Sequence, residues 1–420
     1  MNKGKHSKPQ SFPYRLFIVP GIILLALLIW GVSRLTAVTP PEPETPVFQP
    51  EDIPSEPSPS LPDEPEPSPP PEPEPEPEPD PMQVLLESMD LREKVCQMFI
   101  VFPSAIAGSS SITEAGEELR QALEEYPVGG FLYDRSNLVS QEQVRAMLSN
   151  TQSYSKIPLL LTCDEEGGRV NRLMATIGTT RIGPMLNYKD QGTEQARENA
   201  RIIASDMLSC GFNMDLAPVA DVWSNPDNSV IGDRAYSDDF QQAAELVAAA
   251  VEGFHTGGAA CVLKHFPGHG DTSADSHYGS VYVYKTLDEL RQAELLPFQA
   301  GIDAGADAVM MGHLVIENVD PQPALFSHAV VTELLREEMG FQGVVMTDSL
   351  QMQAMTDHYG SGEIAVGAVK AGVDVLLCPM ELETAVEALL DAVEGGEISE
   401  ERINESVLRI LRLKENTALF

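Results

Sequence analysis

The sequence predicts an α/β fold, a (β/α)8 TIM-type barrel, preceded by a transmembrane helix and a disordered Pro/Glu-rich linker. Three observations predict the barrel. Eight short apolar runs recur along residues 83–420. Helical patterns lie between most of them. Polar residues able to do chemistry stand directly after several runs, and in such barrels the C-terminal ends of the strands carry the chemistry.

In chain order the runs are 97–102 (QMFIVF), 128–132 (VGGFL), 158–163 (PLLLTC), 212–216 (FNMDL), 260–264 (ACVLK), 307–311 (DAVMM), 343–347 (GVVMT) and 373–378 (VDVLLC). Strands covered on both faces read as such continuous runs rather than as an alternation. Helices are predicted over 193–209, 240–256, 287–304 and 328–339. A last helix over about 399–414 has Ser399 as its expected N-cap. An open doubly wound sheet is the rival topology. No G-x-G-x-x-G opens a helix, which disfavours its dinucleotide-binding version. No internal repeat is visible.

Ahead of the barrel, residues 16–33 (LFIVPGIILLALLIWGVS) form an uncharged 18-residue stretch. At a rise of about 1.5 Å per residue it nearly spans a hydrocarbon core of roughly 30 Å. Residues 1–38 hold five basic residues and no acidic ones. That charge pattern predicts a cytoplasmic N-terminus and an extracytoplasmic remainder, hence a single-pass protein of the cell membrane. A cleaved signal peptide is the competing possibility. However, the stretch is long for one, Leu35-Thr36-Ala37 is a poor cleavage site, and no nearby cysteine could accept lipid. Residues 39–82 hold 13 acidic residues, no basic ones and 19 prolines. Proline forbids helix and sheet ladders there, so an extended polyproline II spacer is expected. The expected domains are therefore 1–38, a tail and anchor; 39–82, a linker; and 83–420, the barrel.

A formal net charge of −37 argues against a nucleic-acid partner. The five cysteines, Cys96, Cys163, Cys210, Cys261 and Cys378, form no C-x-x-C pair and no zinc-type spacing. Most sit in apolar runs and are expected to be buried free thiols.

The strand-end rule selects Asp164, Lys264, His265, His313 and Asp348. A single aspartate after a strand is often only a helix cap. Such residues at several strand ends point to a shared site. The densest segment is 264–281, with three histidines, two aspartates and three glycines up to Gly279. An aspartate two residues before a histidine, as in Asp275-Ser276-His277, can orient the ring and steady its imidazolium for proton transfer. A metal site is the rival for this cluster. The H-x3-H spacing of His265 and His269 would suit a helix, and Pro267 with its neighbouring glycines opposes one.

The segment KHFPGHGDTSADSH (264–277) resembles the signature of the bacterial β-N-acetylglucosaminidases of glycoside hydrolase family 3. DEEGGRVNR (164–172), NMDLAPVADV (213–222), IGDRAY (231–236) and GFQGVVMTDSLQM (340–352) resemble the same family in the same order, so the likeness covers about 85–415. It implies Asp348 as nucleophile, His277 as acid/base and Asp275 as its partner. It also implies that Asp164, Arg172, Arg234, Lys264 and His265 hold a terminal N-acetylglucosamine. Arg169 is expected to be structural, His269, Asp271 and Thr272 to shape the loop, and His313 to line the pocket.

The implied activity is retaining hydrolysis of terminal β-linked N-acetylglucosamine from peptidoglycan fragments or muropeptides, with no metal or organic cofactor. Alternatives are a β-glucosidase or an N-acetylglucosaminide phosphorylase of the same family, or an inactive wall-binding barrel. The His-based subgroup is favoured because family β-glucosidases place their acid/base in a second domain that 83–420 does not provide. Cys163, Glu165 and the Met311-Gly312-His313 stretch depart slightly from the family pattern.

Overall fold

A computed structural model describes residues 79–109, 111–272, 279 and 281–417. Its strands are β1 (Phe99–Val101), β2 (Gly130–Leu132), β3 (Leu160–Cys163), β4 (Met214–Asp215), β5 (Ala260–Phe266), β6 (Val281–Val283), β7 (Ala308–Met311), β8 (Leu314–Ile316), β9 (Val344–Thr347) and β10 (Leu376–Leu377). Eight of them form one parallel sheet in the order β10-β1-β2-β3-β4-β5-β7-β9. Beyond its two edges, a parallel bridge joins Met346 to Val375, and the Thr347 amide donates to the Val375 carbonyl at 2.9 Å. The sheet therefore nearly closes into a barrel, and each of the eight apolar runs supplies one of its strands. The barrel strands are buried from end to end, which explains why they read as unbroken apolar runs.

The helices at 193–209 and 240–256 occur as Thr193–Cys210 and Phe240–Gly257. They pack closely because the second is glycine-marked on the contact face. A Cβ on Gly253 would meet the Arg197 carbonyl at 2.2 Å, and one on Gly257 would meet the Ala204 Cβ at 2.5 Å. The single helix expected over 287–304 is instead two, Leu287–Arg291 and Leu295–Asp303. Pro297 accounts for the break. It lacks an N–H and crowds the carbonyl four residues back, so it fits the first turn of a new helix. The helix expected at 328–339 occurs as Ala329–Glu338, wound as a π-helix. The last helix is Glu400–Asn416, and the Ser399 side chain accepts from the Arg402 amide at 3.1 Å.

A helix Pro81–Glu87 begins before the boundary drawn at 82. Asp80 caps it by accepting from the Met82 amide at 3.0 Å, and Pro81 takes the first helical position, where its fixed φ is an advantage. The small parallel pair β6–β8 lies outside the barrel sheet and was not foreseen. The apolar stretch 16–33 and most of the proline-rich stretch lie outside the described residues. Among the described residues no helix is long and apolar enough to cross a membrane.

Candidate active site

A cavity of about 520 Å³ opens at the C-terminal ends of the barrel strands. Asp164, Arg172, Arg234, Lys264, His265 and Asp348 all line it. Six of the eight residues selected from the sequence thus converge on one space from positions up to 184 residues apart (164 to 348). Asp275 and His277, the expected acid/base pair, lie outside the described residues. His313 does not line the cavity. Its Nε2 lies 2.8 Å from the Ser349 carbonyl, so it supports the turn beside Asp348.

Asp164 follows β3 directly. Its Oδ1 accepts from Lys264 Nζ at 2.8 Å, and its Oδ2 pairs with an Arg172 terminal nitrogen at 3.0 Å. Arg172 is held in turn by Glu165. That buried carboxylate accepts the backbone amides of Arg172, Leu173 and Met174 at 2.5, 2.8 and 3.0 Å, which fixes the start of the short helix Leu173–Thr176. Beneath it, the Glu165 amide donates to Asp215 Oδ1 at 3.0 Å. Burial pushes the Asp215 carboxyl well above the usual carboxylate range.

Glu166 is a site residue that the sequence reading did not select. It is buried against two cations, bidentate with Arg234 at 2.7 and 2.8 Å and 2.7 Å from Lys264 Nζ. Burial opposes its ionisation, yet the Arg234 and Lys264 charges outweigh burial and hold the carboxyl well below its ordinary value. The same carboxylates outweigh the desolvation of Lys264 and raise its pKa. Lys264 therefore stays charged between Asp164 and Glu166, with its donors at the cavity wall.

Asp221 is the second residue not selected. Fully buried, its Oδ2 lies 2.7 Å from His265 Nδ1, and its Oδ1 accepts the His269 amide at 2.6 Å. Burial works against its charge, but His265 and other partners keep its pKa lowered. The pair fixes the His265 ring at the cavity. Asp221 also anchors the entry to the histidine-rich loop, where a Cβ on Gly270 would strike the Val222 carbonyl at 1.7 Å. His269 lines the cavity, but its Nδ1 is 2.8 Å from Thr272 Oγ1 and burial lowers its pKa. Arg169 is structural, as expected. It donates to the Ser229, Val230 and Ile231 carbonyls and pairs with Asp233 at 3.1 Å.

Asp348 follows β9 at the base of the cavity. One of its oxygens accepts the Ser349 amide at 2.7 Å. Burial would raise its pKa, but the charges of His265 and His313, the Ser349 amide and Lys264 together lower it. An ionised carboxylate thus faces a cavity rich in cationic hydrogen-bond donors, an arrangement suited to gripping a polyhydroxylated ring above a nucleophile.

A family model described as "Glycosyl hydrolase family 3 N terminal domain" matches residues 90–413. The chain is 37% identical over 295 residues to a beta-hexosaminidase of Stenotrophomonas maltophilia, covering 68% of this chain and 86% of that protein. It is 33% identical over 335 residues to beta-hexosaminidase A of Pseudoalteromonas piscicida, covering 73% of this chain and 56% of the relative. A solved glycoside hydrolase family 3 beta-N-acetylglucosaminidase from Paenibacillus sp. str. FPU-7 superposes with a TM-score of 0.75 at 40% identity, covering 79% of this chain and 63% of that one. The chain therefore spans little more than half the length of some relatives and most of the length of others.

Proposed function

We propose that this chain, which belongs to glycosyl hydrolase family 3, is a retaining exo-β-N-acetylglucosaminidase acting on peptidoglycan-derived saccharides. The observation that carries this reading is the convergence of Asp164, Arg172, Arg234, Lys264 and His265 on the cavity where Asp348 is held ionised. In the proposed reaction Asp348 attacks the anomeric carbon and forms a covalent glycosyl-enzyme. His277, steadied by Asp275, gives a proton to the departing oxygen and then takes one from the incoming water. Asp164, Arg172 and Lys264 hold the hydroxyls of the terminal sugar, and Glu166 keeps Arg234 and Lys264 in place. The stretch 16–33 is proposed as a membrane anchor and 39–82 as the spacer that carries the barrel into the wall.

The test is a substrate panel. N-acetylglucosaminides and glucosides are compared, each with and without phosphate, on wild type and Asp348→Ala. The expected result is release of N-acetylglucosamine into water by wild type only, with a 2-fluoro sugar probe labelling Asp348. Preference for glucosides, dependence on phosphate, or a label on another carboxylate would overturn the corresponding part of the proposal.

A further inference from the structure

The geometry points to a second, separate site at the opposite end of the barrel, where His255, Cys261 and Asp307 form three ligands for a borderline-soft divalent cation of the zinc type. The three come from different elements. His255 lies in the last turn of helix Phe240–Gly257, Cys261 near the start of β5, and Asp307 just before β7. Their ligand atoms all lie within 4.8 Å of one another. His255 Nε2 is 2.9 Å from Asp307 Oδ2, and the Cys261 amide donates to that same oxygen at 3.0 Å. Cys261 precedes Lys264 by three residues on one strand, so the cluster stands about 10 Å below the sugar-binding cavity.

The chemistry of the set selects the ion. Imidazole, thiolate and carboxylate are a mixed nitrogen, sulfur and oxygen set, which suits zinc and its neighbours and not magnesium or calcium. Bonds of about 2.0–2.3 Å place tetrahedral ligand atoms roughly 3.5 Å apart, so small side-chain shifts close the shell. Cys261 is fully buried and Asp307 mostly so, while the His255 side chain is 37% exposed, which leaves water access for a fourth ligand. A helix C-terminus is itself favourable to a cation.

Without a metal the cluster is a hydrogen-bonded knot. Burial, with the Asp307 charge, keeps Cys261 a thiol, while the hydrogen bond to Asp307 favours the protonated His255. Binding one divalent ion forms the metal–sulfur bond as the thiol releases its proton to solvent, and His255 likewise gives up its Nε2 proton to solvent so that the lone pair left behind binds the ion. No electron changes hands. The ion would tie the end of a helix to the starts of β5 and β7, so binding should stabilise the fold. The site is independent of the glycosidase reading, because its ligands lie at the far end of the strands.

The test uses the full chain, stripped with a chelator and titrated with Co²⁺. The expected result is a thiolate-to-cobalt charge-transfer band saturating at one equivalent, release of at least one proton, and loss of the band when Zn²⁺ is added. Zn²⁺ should also raise the thermal midpoint. Cys261→Ser should abolish the band although Cys96, Cys163, Cys210 and Cys378 remain. His255→Gln, which alters a side chain more than a third exposed, should fold normally and weaken cobalt binding at least tenfold. No band at one equivalent in wild type, a band persisting in Cys261→Ser, or unchanged affinity in His255→Gln overturns the site.

Discussion

Asp348 and Glu166 are two carboxylates kept charged against burial, and the way each is held suggests what its neighbours do. Asp348 has an open cavity above it, which leaves its charge to the attack proposed for it; Glu166 is spent on Arg234 and Lys264. Glu166→Gln preserves shape but leaves two buried cations short of a counter-charge. Breaking one side of such a pair typically costs about 2–5 kcal/mol. KM for the N-acetylglucosaminide should therefore rise on the order of 10²-fold, with a smaller change in kcat. An unchanged KM would show that Glu166 has no part in holding the sugar. The proton donor is tested separately. Acid assistance matters most when the departing oxygen is basic, and it typically contributes about 10²- to 10⁴-fold. His277→Ala should therefore slow the glycosylation step by roughly that factor on a natural disaccharide and by much less on a nitrophenyl glycoside. Equal losses on both would remove His277 as the acid and turn attention to His265, whose ring Asp221 orients at the cavity.

At the scale of elements, the strands were legible because parallel strands buried on both faces must be apolar throughout, and each of the eight runs became one barrel strand. Two cavity residues were legible for the same reason, since Asp164 and Asp348 stand directly after an apolar strand, while Lys264 interrupts the apolar run inside β5, which continues to Phe266. Glu166 and Asp221 were not, because each sits in a loop and gains its meaning only from a partner far along the chain; Arg234 is 68 residues from Glu166. The pair β6–β8 escaped because three-residue strands with exposed Tyr282 in the middle of one carry too little pattern. The other end of the barrel carries stability. Asp374, wholly buried before β10, pairs with Arg336, with Arg409 at 3.1 Å and with Arg402 at 3.5 Å, and it accepts from Ser406 Oγ at 2.7 Å and the Val345 amide at 2.9 Å. It thereby ties the π-helix and the last helix to β9 and β10. Asp374→Asn should destabilise by about 3–5 kcal/mol, as expected when a buried pair loses one charge. Urea unfolding measures this, and the folded fraction should keep its kcat/KM; a loss under about 1 kcal/mol would mean the arginines find other partners.

For the whole molecule, the C-terminal-end rule selects residues most of which share one cavity, whereas the packing of the last helix back onto the start of the barrel left no mark in the sequence. That packing buries Lys414 completely, with Nζ 2.7 Å from Gln97 Oε1 and, among the described residues, no carboxylate paired with it. Burial lowers its pKa from 10.5 to about 7. The unfolded chain therefore binds more protons than the folded one between about pH 7 and 10.5. Above that window the lysine is neutral in both states and costs nothing. Below it the proton is carried in both states, and the folded state bears the full penalty. Between them stability should climb with pH, by on the order of 3 kcal/mol from pH 7 to 10 at 1.36 kcal/mol per unit. Other groups titrate in the same range, so the useful quantity is a difference. Lys414→Met removes this titration and leaves the others. It should stabilise the protein, relative to wild type, markedly more at pH 7 than at pH 10 in matched urea unfolding curves. A variant whose advantage is the same at both pH values would mean that Lys414 keeps its proton in the fold across this range, with water or Gln97 supplying the solvation that burial removes.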